Sequence, residues 1–332
     1  MERLKGTAAI ICEFNPFHFG HKHLLDEAHR SYPVVFGIMS GNLVQRGINA
    51  CADKYLRASA AVECGFDGVL ELPFPFSSLS ARDFARAGVH IAEEAGFEAL
   101  VFGAEDKEAV LQAKDIVCAA DFEEKITALI RTQKNLSFPK ATELVLAEKL
   151  GGETAKLLSK PNNILGLEYI KAASKRNLLK IQIIPRSPAF ASAGSLRKSG
   201  VPAGELPKEA GAFFENTAAD TALYTNLSVA AKLYAGDKAV LYGIDESLAG
   251  RITKYNAAEM PSYTVLLAAG EKGLPVIKQI SKNSAIPLVV KPAGFTGNRQ
   301  FEYALRAERV LREVFNSPDP LCRTPYIKGA GK

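Results

Sequence analysis

The stretch Asn15-Pro16-Phe17-His18-Phe19-Gly20-His21 decides the fold, because it joins a short apolar run to a segment with helical periodicity. The apolar run is residues 8–12, and the helical segment is residues 22–30. This order predicts a β-strand that leads directly into the N-terminus of an α-helix.

Two histidines three residues apart, His18 and His21, face the same side of the first helical turn. Gly20 between them lets a ligand approach the backbone closely. The unpaired N–H groups and the positive end of the helix dipole make this turn an anion site that suits phosphate. Imidazoles there can donate hydrogen bonds to a phosphoryl oxygen that gains charge in a transition state. The stretch therefore indicates nucleotidyl transfer, with His18 and His21 as catalytic residues.

Two other readings of the histidines remain open. His18 can simply cap the helix, with His21 as an ordinary surface residue. A zinc site is the second alternative, because four of the five histidines (His18, His21, His23 and His29) fall within twelve residues. No cysteine pair or HExxH spacing accompanies them, so no metal ligand is assigned.

Strand-like and helix-like runs alternate along the first half of the chain. The predicted strands are residues 8–12, 34–39, 68–72, 99–103 and 179–185. The predicted helices are residues 22–30, 53–64 and 80–95, followed by a longer helical stretch over 107–176. This alternation predicts an α/β fold, with a Rossmann-like, five-stranded parallel sheet covered by helices on both faces. Ligands of such sheets bind at the carboxyl ends of the strands, where the winding direction changes.

The pattern changes after residue 199. Gly200-Val201-Pro202-Ala203-Gly204 has the composition of a linker, and the helical periods 217–235, 263–269 and 302–315 follow it. The sequence thus predicts a nucleotide-binding domain over residues 1–199 and a mainly α-helical region over residues 200–332.

The composition is that of a globular protein: the 332 residues are 47% hydrophobic and 23% charged, with a net charge of +5. That charge is a mild bias, compatible with an anionic partner. Five scattered cysteines without CxxC spacing indicate reduced thiols. No run suits a signal peptide or a bilayer-spanning helix, so we expect a cytoplasmic protein without membrane contact.

Further segments form an ordered set after the opening stretch. They are Ser40-Gly41-Asn42-Leu43-Val44-Gln45-Arg46-Gly47, Asp53-Lys54-Tyr55-Leu56-Arg57-Ala58, Val69-Leu70-Glu71-Leu72-Pro73, Phe102-Gly103-Ala104-Glu105, Lys160-Pro161-Asn162-Asn163-Ile164-Leu165-Gly166, Pro185-Arg186-Ser187 and Ser192-Ala193-Gly194-Ser195-Leu196-Arg197. As a set they resemble the tRNA(Met) cytidine acetate ligases, a branch of the HIGH-motif nucleotidylyltransferases. The resemblance runs from residue 7 to about residue 199.

The resemblance implies an enzyme that adenylates acetate with ATP and Mg²⁺ and passes the acetyl group to the wobble cytidine of elongator tRNA(Met). The ATP-binding residues that it implies are Ala9, Ile10, Ile11, Cys12, Glu13, Phe14, Asn15, Pro16, Phe17, His18, Phe19, Gly20, His21, Lys22, Gly103, Asn162, Arg186 and Ser187. Their chemistry agrees, since Asn162 can both donate and accept and Arg186 offers a planar fork for phosphate. Local alternatives are a chain turn at Gly103, a helix N-cap at Asn162 and a surface ion pair at Arg186.

Three charged residues of one segment, Asp53, Lys54 and Arg57, share a helical face. We interpret them as a solvated, salt-bridged face and not as part of the site.

Residues 201–332, the region that would bind the acceptor, carry fewer sequence signals of function than residues 1–199. Residues 201–332 contain 16 lysines and arginines against 13 acidic residues, a weak footprint for tRNA. Basic residues between Lys254 and Arg312, with Arg46 and Arg197, are candidates for phosphate contacts, and Tyr255, Tyr263 and Tyr303 for base stacking. The alternatives are a HIGH-type nucleotidyltransferase with a small-molecule acceptor and a nucleotide-binding module without activity, which the presence of both His18 and His21 disfavours.

Overall fold

The computed structural model describes residues 3–45, 48–133, 135–201, 203–214, 259–315 and 317–329. Its centre is an eight-stranded, mostly parallel sheet. The strands are β1 (Leu4–Cys12), β2 (Val34–Ser40), β5 (Gly68–Leu72), β6 (Phe97–Ala104), β7 (Lys180–Pro185), β8 (Thr264–Ala269), β9 (Leu288–Val289) and β10 (Tyr326–Ile327). Two short strands, β3 (Leu43–Val44) and β4 (Ile48–Asn49), form a separate antiparallel pair.

The strand order is β10-β8-β5-β2-β1-β6-β7, and β9 pairs with β8. From β1 the chain moves to β2 and β5 on one side and then returns to β6 and β7 on the other. The winding direction therefore changes between β1 and β6, and a crevice opens at their carboxyl ends. The last six residues of β1 are all buried, as expected for a strand covered on both faces.

All five predicted strands are present, and they pair in parallel. The sheet is nevertheless larger than predicted, because β8 joins the edge of β5 in the antiparallel direction. The prediction of a helical period over residues 263–269 is wrong. Every residue of β8 is buried, and a short, uniformly apolar run carries no periodicity that separates a buried strand from a helix.

The helices of the first half are α1 (Phe19–His29), α2 (Lys54–Glu63) and α3 (Ala81–Glu94). Asp53 and Ser80 cap α2 and α3 through their side chains, so both helices begin where the sequence predicts. Helix α1 begins three residues earlier than predicted, because His18 caps it.

The long helical stretch over 107–176 consists of five helices: α4 (Lys107–Cys118), α5 (Phe122–Thr132), α6 (Phe138–Leu150), α7 (Gly152–Leu158) and α8 (Pro161–Ser174). Four more follow: α9 (Ala193–Lys198), α10 (Lys208–Phe214), α11 (Gly273–Asn283) and α12 (Arg299–Phe315). The predicted helical period 302–315 lies within α12, whereas the period 217–235 lies outside the described residues.

Part of the predicted linker is a 3-10 turn, Ala203–Glu205, preceded by left-handed backbone at Gly200 and Val201. The division into two domains near residue 199 stays a prediction, and the sheet draws strands from both sides of that point. None of the helices in the described part of the chain combines the length and hydropathy that crossing a bilayer requires.

The buried residue Leu267 of β8 tests the correction to the sheet. It is 0% exposed, so Leu267→Ala should leave a cavity and lower the free energy of unfolding by about 3 kcal/mol. The exposed Leu274 of α11 provides a matched control, and Leu274→Ala should cost less than about 1 kcal/mol. Urea unfolding of the two variants measures the difference, and equal losses would contradict the placement of β8.

Candidate active site

A cavity of about 240 Å³ lies at the carboxyl ends of β1, β6 and β7. Its wall consists of the end of β1, the first turn of α1, and residues that follow β2, β6 and β7. His18, His21, Gly103, Asn162 and Arg186 all contribute to it. The structure therefore brings the principal predicted site residues together at the point where the winding direction changes.

The two histidines form a reciprocal cap at the N-terminus of α1. His18 is the N-cap residue, and its Nδ1 accepts a hydrogen bond from the backbone N–H of Gly20 at 3.0 Å. His21 is the third helical residue, and its Nδ1 accepts from the backbone N–H of His18 at 3.3 Å. The spacing of three residues is thus the spacing of a capping box, with imidazoles in place of the usual side chains.

This cap fixes the tautomer of both rings. Since each Nδ1 accepts from a backbone N–H, the proton of each neutral ring resides on Nε2. The rings stack with centroids 3.9 Å apart and an interplanar angle of 28°. Helix capping and donation toward the cavity are therefore compatible, and the capping alternative is correct for His18 without excluding a catalytic role.

Burial keeps both imidazoles neutral. Burial and the Arg186 guanidinium lower the pKa of His18 to about 4. Burial, the neighbouring His18 and Arg186 also lower the pKa of His21 well below its usual range. Both rings are therefore neutral hydrogen-bond donors at pH 7.

Two aromatic side chains pack against the His21 ring. Phe14 contacts its ring edge-on at 5.2 Å between centroids, and Phe17 lies 5.6 Å away. Gly20 also has a steric role, because a Cβ there would lie 2.9 Å from Cε1 of His18. Glycine at this position makes room for the capping imidazole.

Glu105 organises the opposite wall. Its carboxylate accepts from the Asn162 side chain at 2.6 Å and from the Asn163 backbone N–H at 2.9 Å. Nη1 of Arg186 lies 4.0 Å from the same carboxylate. Asn162 is therefore not the N-cap of α8; it lies in the first turn, and Glu105 satisfies the free N–H groups there. A Cβ at Gly103 would lie 3.3 Å from Cγ of Arg186, so this glycine leaves room for the arginine side chain.

Asn15 is a buried polar residue of the cavity wall. It is 2% exposed; its Oδ1 accepts from the backbone N–H of Cys51 at 2.6 Å, and its carbonyl oxygen accepts from Arg197 at 2.5 Å. Among the described residues, no acceptor lies within hydrogen-bond distance of its Nδ2.

The interpretation of Asp53, Lys54 and Arg57 as a solvated face is wrong. Arg57 is fully buried, and its guanidinium donates to the carbonyl oxygens of Ala52, Glu13, Ser40 and Gly41. It thereby ties the carboxyl end of β1 to that of β2. Lys54 is buried as well, and Asp53 is half-buried beneath Arg323. Spacing along a helix cannot tell which face is covered by distant parts of the chain.

The implied ATP-binding residues divide into two groups. Those that line the cavity are Ile10, Ile11, Cys12, Glu13, Phe14, Asn15, His18, Gly20, His21, Gly103, Asn162, Arg186 and Ser187. The residues outside its wall are Ala9 and Phe17, which are buried in the core; Phe19, which is exposed; Pro16, which is buried; and Lys22, which pairs with Asp26 on the surface of α1.

The cavity also contains residues that were not assigned from the sequence: His23, Leu24, Gln45, Phe84, Phe102, Leu165, Tyr169, Ile184, Pro185, Phe190 and Ala193. Five of them lie within the segments that carry the family resemblance, so the sequence indicated their neighbourhood: Gln45, Phe102, Leu165, Pro185 and Ala193. No sequence motif marked Phe84 of α3 or Tyr169 of α8, because these residues reach the cavity only through helix packing. Among the described residues, no group of three or more His, Cys, Asp or Glu side chains could hold a metal ion.

The two tyrosine candidates for base stacking that the structure describes, Tyr263 and Tyr303, do not line the cavity. Tyr263 is 1% exposed and packs edge-on against Phe301, which removes it from any RNA contact. Tyr303 stacks on Phe74 with centroids 5.6 Å apart. Tyr255 and Arg46 lie outside the described residues.

Fold and cavity together define a Rossmann-like α/β protein with a cavity at the carboxyl edge of its sheet, beside a histidine-capped helix. The sequence profile of the HIGH Nucleotidyl Transferase family matches residues 6–204, and the chain belongs to this family.

The chain is also similar to curated proteins that share one name. The chain is 39% identical over 173 residues to the tRNA(Met) cytidine acetate ligase of Syntrophotalea carbinolica, covering 50% of this chain and 41% of the relative. It is 40% identical over 205 residues to the protein of the same name from Streptococcus sanguinis, covering 58% and 54%. The chain thus spans about half the length of the curated relatives that it matches.

A solved structure with the same fold is that of Thermotoga maritima TmcAL bound with alpha-thio ATP. It superposes with a TM-score of 0.79 over 98% of this chain and 99% of the other, at 21% sequence identity. The likeness extends over both halves of the chain and confirms the fold.

The lowered pKa of His18 makes the stability of the protein sensitive to acid. An unfolded histidine titrates near pH 6.5, so the unfolded chain takes up the proton first as the pH falls. The contribution is therefore fully present above pH 6.5 and is lost between pH 6.5 and about 4. Between pH 7 and pH 5, the wild type should lose roughly 2 kcal/mol more of its unfolding free energy than His18→Asn. Urea unfolding at the two pH values measures this difference, and equal losses would contradict a buried, neutral His18.

Proposed function

We propose that this protein is an ATP-dependent ligase that adenylates acetate and transfers the acetyl group to the wobble cytidine of elongator tRNA(Met). The single observation that carries the proposal is the pair of neutral imidazoles, with Nε2–H groups available as donors, at a helix N-terminus inside the cavity. The name of the curated relatives supplies the acid and the acceptor.

We propose one orientation for ATP in the cavity. Its phosphates belong beside the first turn of α1, where His18, His21 and the helix dipole favour negative charge. Its adenosine belongs at the ends of β6 and β7, against Gly103, Asn162 and Ser187, with Arg186 between the two parts. The ATP analogue bound to the Thermotoga maritima protein supports ATP as the nucleotide.

The adenylation step needs an acid held against the α-phosphorus. A carboxylate oxygen of acetate attacks that atom, the bond to the bridging oxygen of the β-phosphate breaks, and acetyl-adenylate and pyrophosphate form. The leaving pyrophosphate gains charge as the bond breaks, and the Nε2–H groups of His18 and His21 donate to it. Because both rings are neutral, they stabilise the charge as hydrogen-bond donors without transferring a proton.

Mg²⁺ is the cofactor that we propose for ATP. Glu13 supplies the carboxylate in the cavity wall, and one carboxylate together with phosphate oxygens suits this ion. When bound, Mg²⁺ would neutralise charge on the phosphates. The Glu13 side chain also accepts from the backbone N–H of Gln45 at 2.9 Å, which orients it in the wall.

The second step transfers the acetyl group. The exocyclic amine of cytidine attacks the acetyl carbonyl, AMP leaves, and the amine loses a proton, which gives acetylcytidine. A small-molecule acceptor is the competing proposal, and the weakly basic composition of residues 201–332 favours it. We propose a cytoplasmic location, because the acceptor would be tRNA.

Asparagine variants of the two histidines test the catalytic roles. Asn places Oδ1 where histidine has Nδ1, so His18→Asn and His21→Asn keep the helix cap but delete the Nε2–H donor. Each should reduce acetate-dependent exchange between pyrophosphate and ATP about 100-fold, which corresponds to roughly 3 kcal/mol of transition-state stabilisation. The thermal unfolding midpoint should change little and serves as the control. Exchange within a few-fold of wild type in either variant would refute the proposed role.

Labelled acetate identifies the acceptor. With ATP, Mg²⁺ and total bacterial tRNA, we expect acetylcytidine in the digested RNA, detected by mass spectrometry. The weakly basic composition of residues 201–332 predicts few phosphate contacts, so the KM for tRNA should rise only about tenfold between 50 and 200 mM salt. Label that stays in acetyl-adenylate at low salt, with none in RNA, would favour the small-molecule acceptor.

A further inference from the structure

Gln45, in the segment between β2 and α2, forms part of the cavity wall, and we call the described residues of that segment, 41–45 and 48–53, the Gln45 loop. Gln45 lines the cavity, and its backbone N–H donates to the Glu13 carboxylate at 2.9 Å. This wall follows β2, on the opposite side of β1 from the residues after β6 and β7. If adenosine occupies the β6–β7 side, the Gln45 loop borders the space that is left for the acid.

Asn42 holds both ends of the Gln45 loop. Its carbonyl oxygen accepts from the Ala50 backbone N–H at 3.0 Å, and its Oδ1 accepts from the Lys54 backbone N–H at 2.6 Å. Its Nδ2 donates to Oε2 of Glu308 at 3.0 Å and to Oδ2 of Asp53 at 3.3 Å. The carboxylate of Glu308 on α12 therefore holds the Asn42 side chain together with the local contacts to Asp53 and Lys54.

Glu308 belongs to a buried cluster of three charged side chains, which we call the ion cluster: Lys54, Glu71 and Glu308. Nζ of Lys54 lies 2.8 Å from Glu71 and 3.3 Å from Glu308. Burial alone would lower the pKa of Lys54, but the two carboxylates raise it overall, so the ammonium stays charged. Burial raises the pKa of Glu71 to about 7, against the attraction of Lys54. Lys54 fixes one oxygen of Glu308 and leaves the other for Asn42.

The ion cluster reaches outside the part of the chain that matches the family profile. Glu308 lies on α12, and the profile ends at residue 204. A second contact from the same region supports the loop, because Arg323 pairs with Asp53 at 2.5 Å and its guanidinium lies 4.3 Å from the centroid of the Tyr55 ring. The C-terminal part of the chain thus contacts the last residue of the Gln45 loop, Asp53, through Arg323.

We propose that Glu308 is a positioning residue that, through Asn42, holds the Gln45 loop against the acid-binding side of the cavity. This inference rests on the proposed adenylation function. It assigns to α12 a role in the first chemical step, in addition to any contact with the acceptor.

Glu308→Gln is the sharpest test. Both neighbours of the carboxylate, Nδ2 of Asn42 and Nζ of Lys54, are donors. An amide presents one acceptor and one donor, so it cannot satisfy both. We expect the KM for acetate in pyrophosphate exchange to rise at least tenfold, with the KM for ATP within twofold of wild type. Glu302→Gln, the same substitution at an exposed position of α12, is the control and should leave both values unchanged.

Asn42→Asp provides a second variant that approaches the contact from the other side. It keeps the acceptor for the Lys54 N–H but sets a carboxylate against Glu308 and Asp53. It should reproduce the acetate-specific rise in KM, and the double variant should be no worse than the more severe single variant. If Glu308→Gln fails to fold, Asn42→Asp carries the test alone.

Amide hydrogen exchange without substrate separates this inference from the proposed function. In Glu308→Gln, peptides covering residues 42–45 should exchange at least tenfold faster, whereas peptides of β1 should exchange as in wild type. Unchanged exchange in the loop, or an equal rise in KM for ATP and acetate, would overturn the positioning role. Absence of acetate-dependent exchange between pyrophosphate and ATP in the wild-type protein would refute the proposed function. The amide hydrogen exchange of the Gln45 loop in Glu308→Gln would then decide by itself whether Glu308 positions the loop.

Discussion

The site depends on the reciprocal capping of α1 by His18 and His21. A helix N-terminus has N–H groups without partners, and here two of the capping acceptors are imidazole Nδ1 atoms. The same hydrogen bonds hold the rings in place, set their tautomer and oppose their protonation. Structure and chemistry are thus linked in one motif, because the atoms that begin the helix determine which ring nitrogen carries a proton. Phe14 and Gly20 complete the arrangement by supporting one ring and leaving space for the other.

Buried charge forms the framework around this motif. The guanidinium of Arg57 contacts carbonyl oxygens at the carboxyl ends of both β1 and β2, without a carboxylate partner of its own at hydrogen-bond distance among the described residues. Burial accordingly lowers its pKa. Its charge lies beneath the loops where an anion would bind, so the residue both ties two strand ends together and adds positive potential to that edge of the sheet.

The sequence predicts much of the N-terminal half because local signals and tertiary structure agree there. The strands are apolar and short, Asp53 and Ser80 cap their helices, and the histidine spacing is a local property of one turn. Failures occur where distant residues decide the environment. Residues 264–269 form a strand because the edge of β5 offers a partner, and Lys54 is buried because α12 covers it. Phe84 and Tyr169 reach the cavity by packing across helices, which no local pattern encodes.

Pairing of β5 with β8 joins residues about 200 positions apart in sequence. Such a contact forms only after a long loop closes, so the sheet is completed late in folding. A nascent chain that ends near residue 204 would present the free hydrogen-bonding edge of β5, flanked by apolar residues, to other chains in the cell. Exposed edges of this kind promote aggregation. Without β8 the segment that matches the family profile leaves this edge of its sheet uncovered, so recombination that exchanges C-terminal regions must preserve a strand that fits β5.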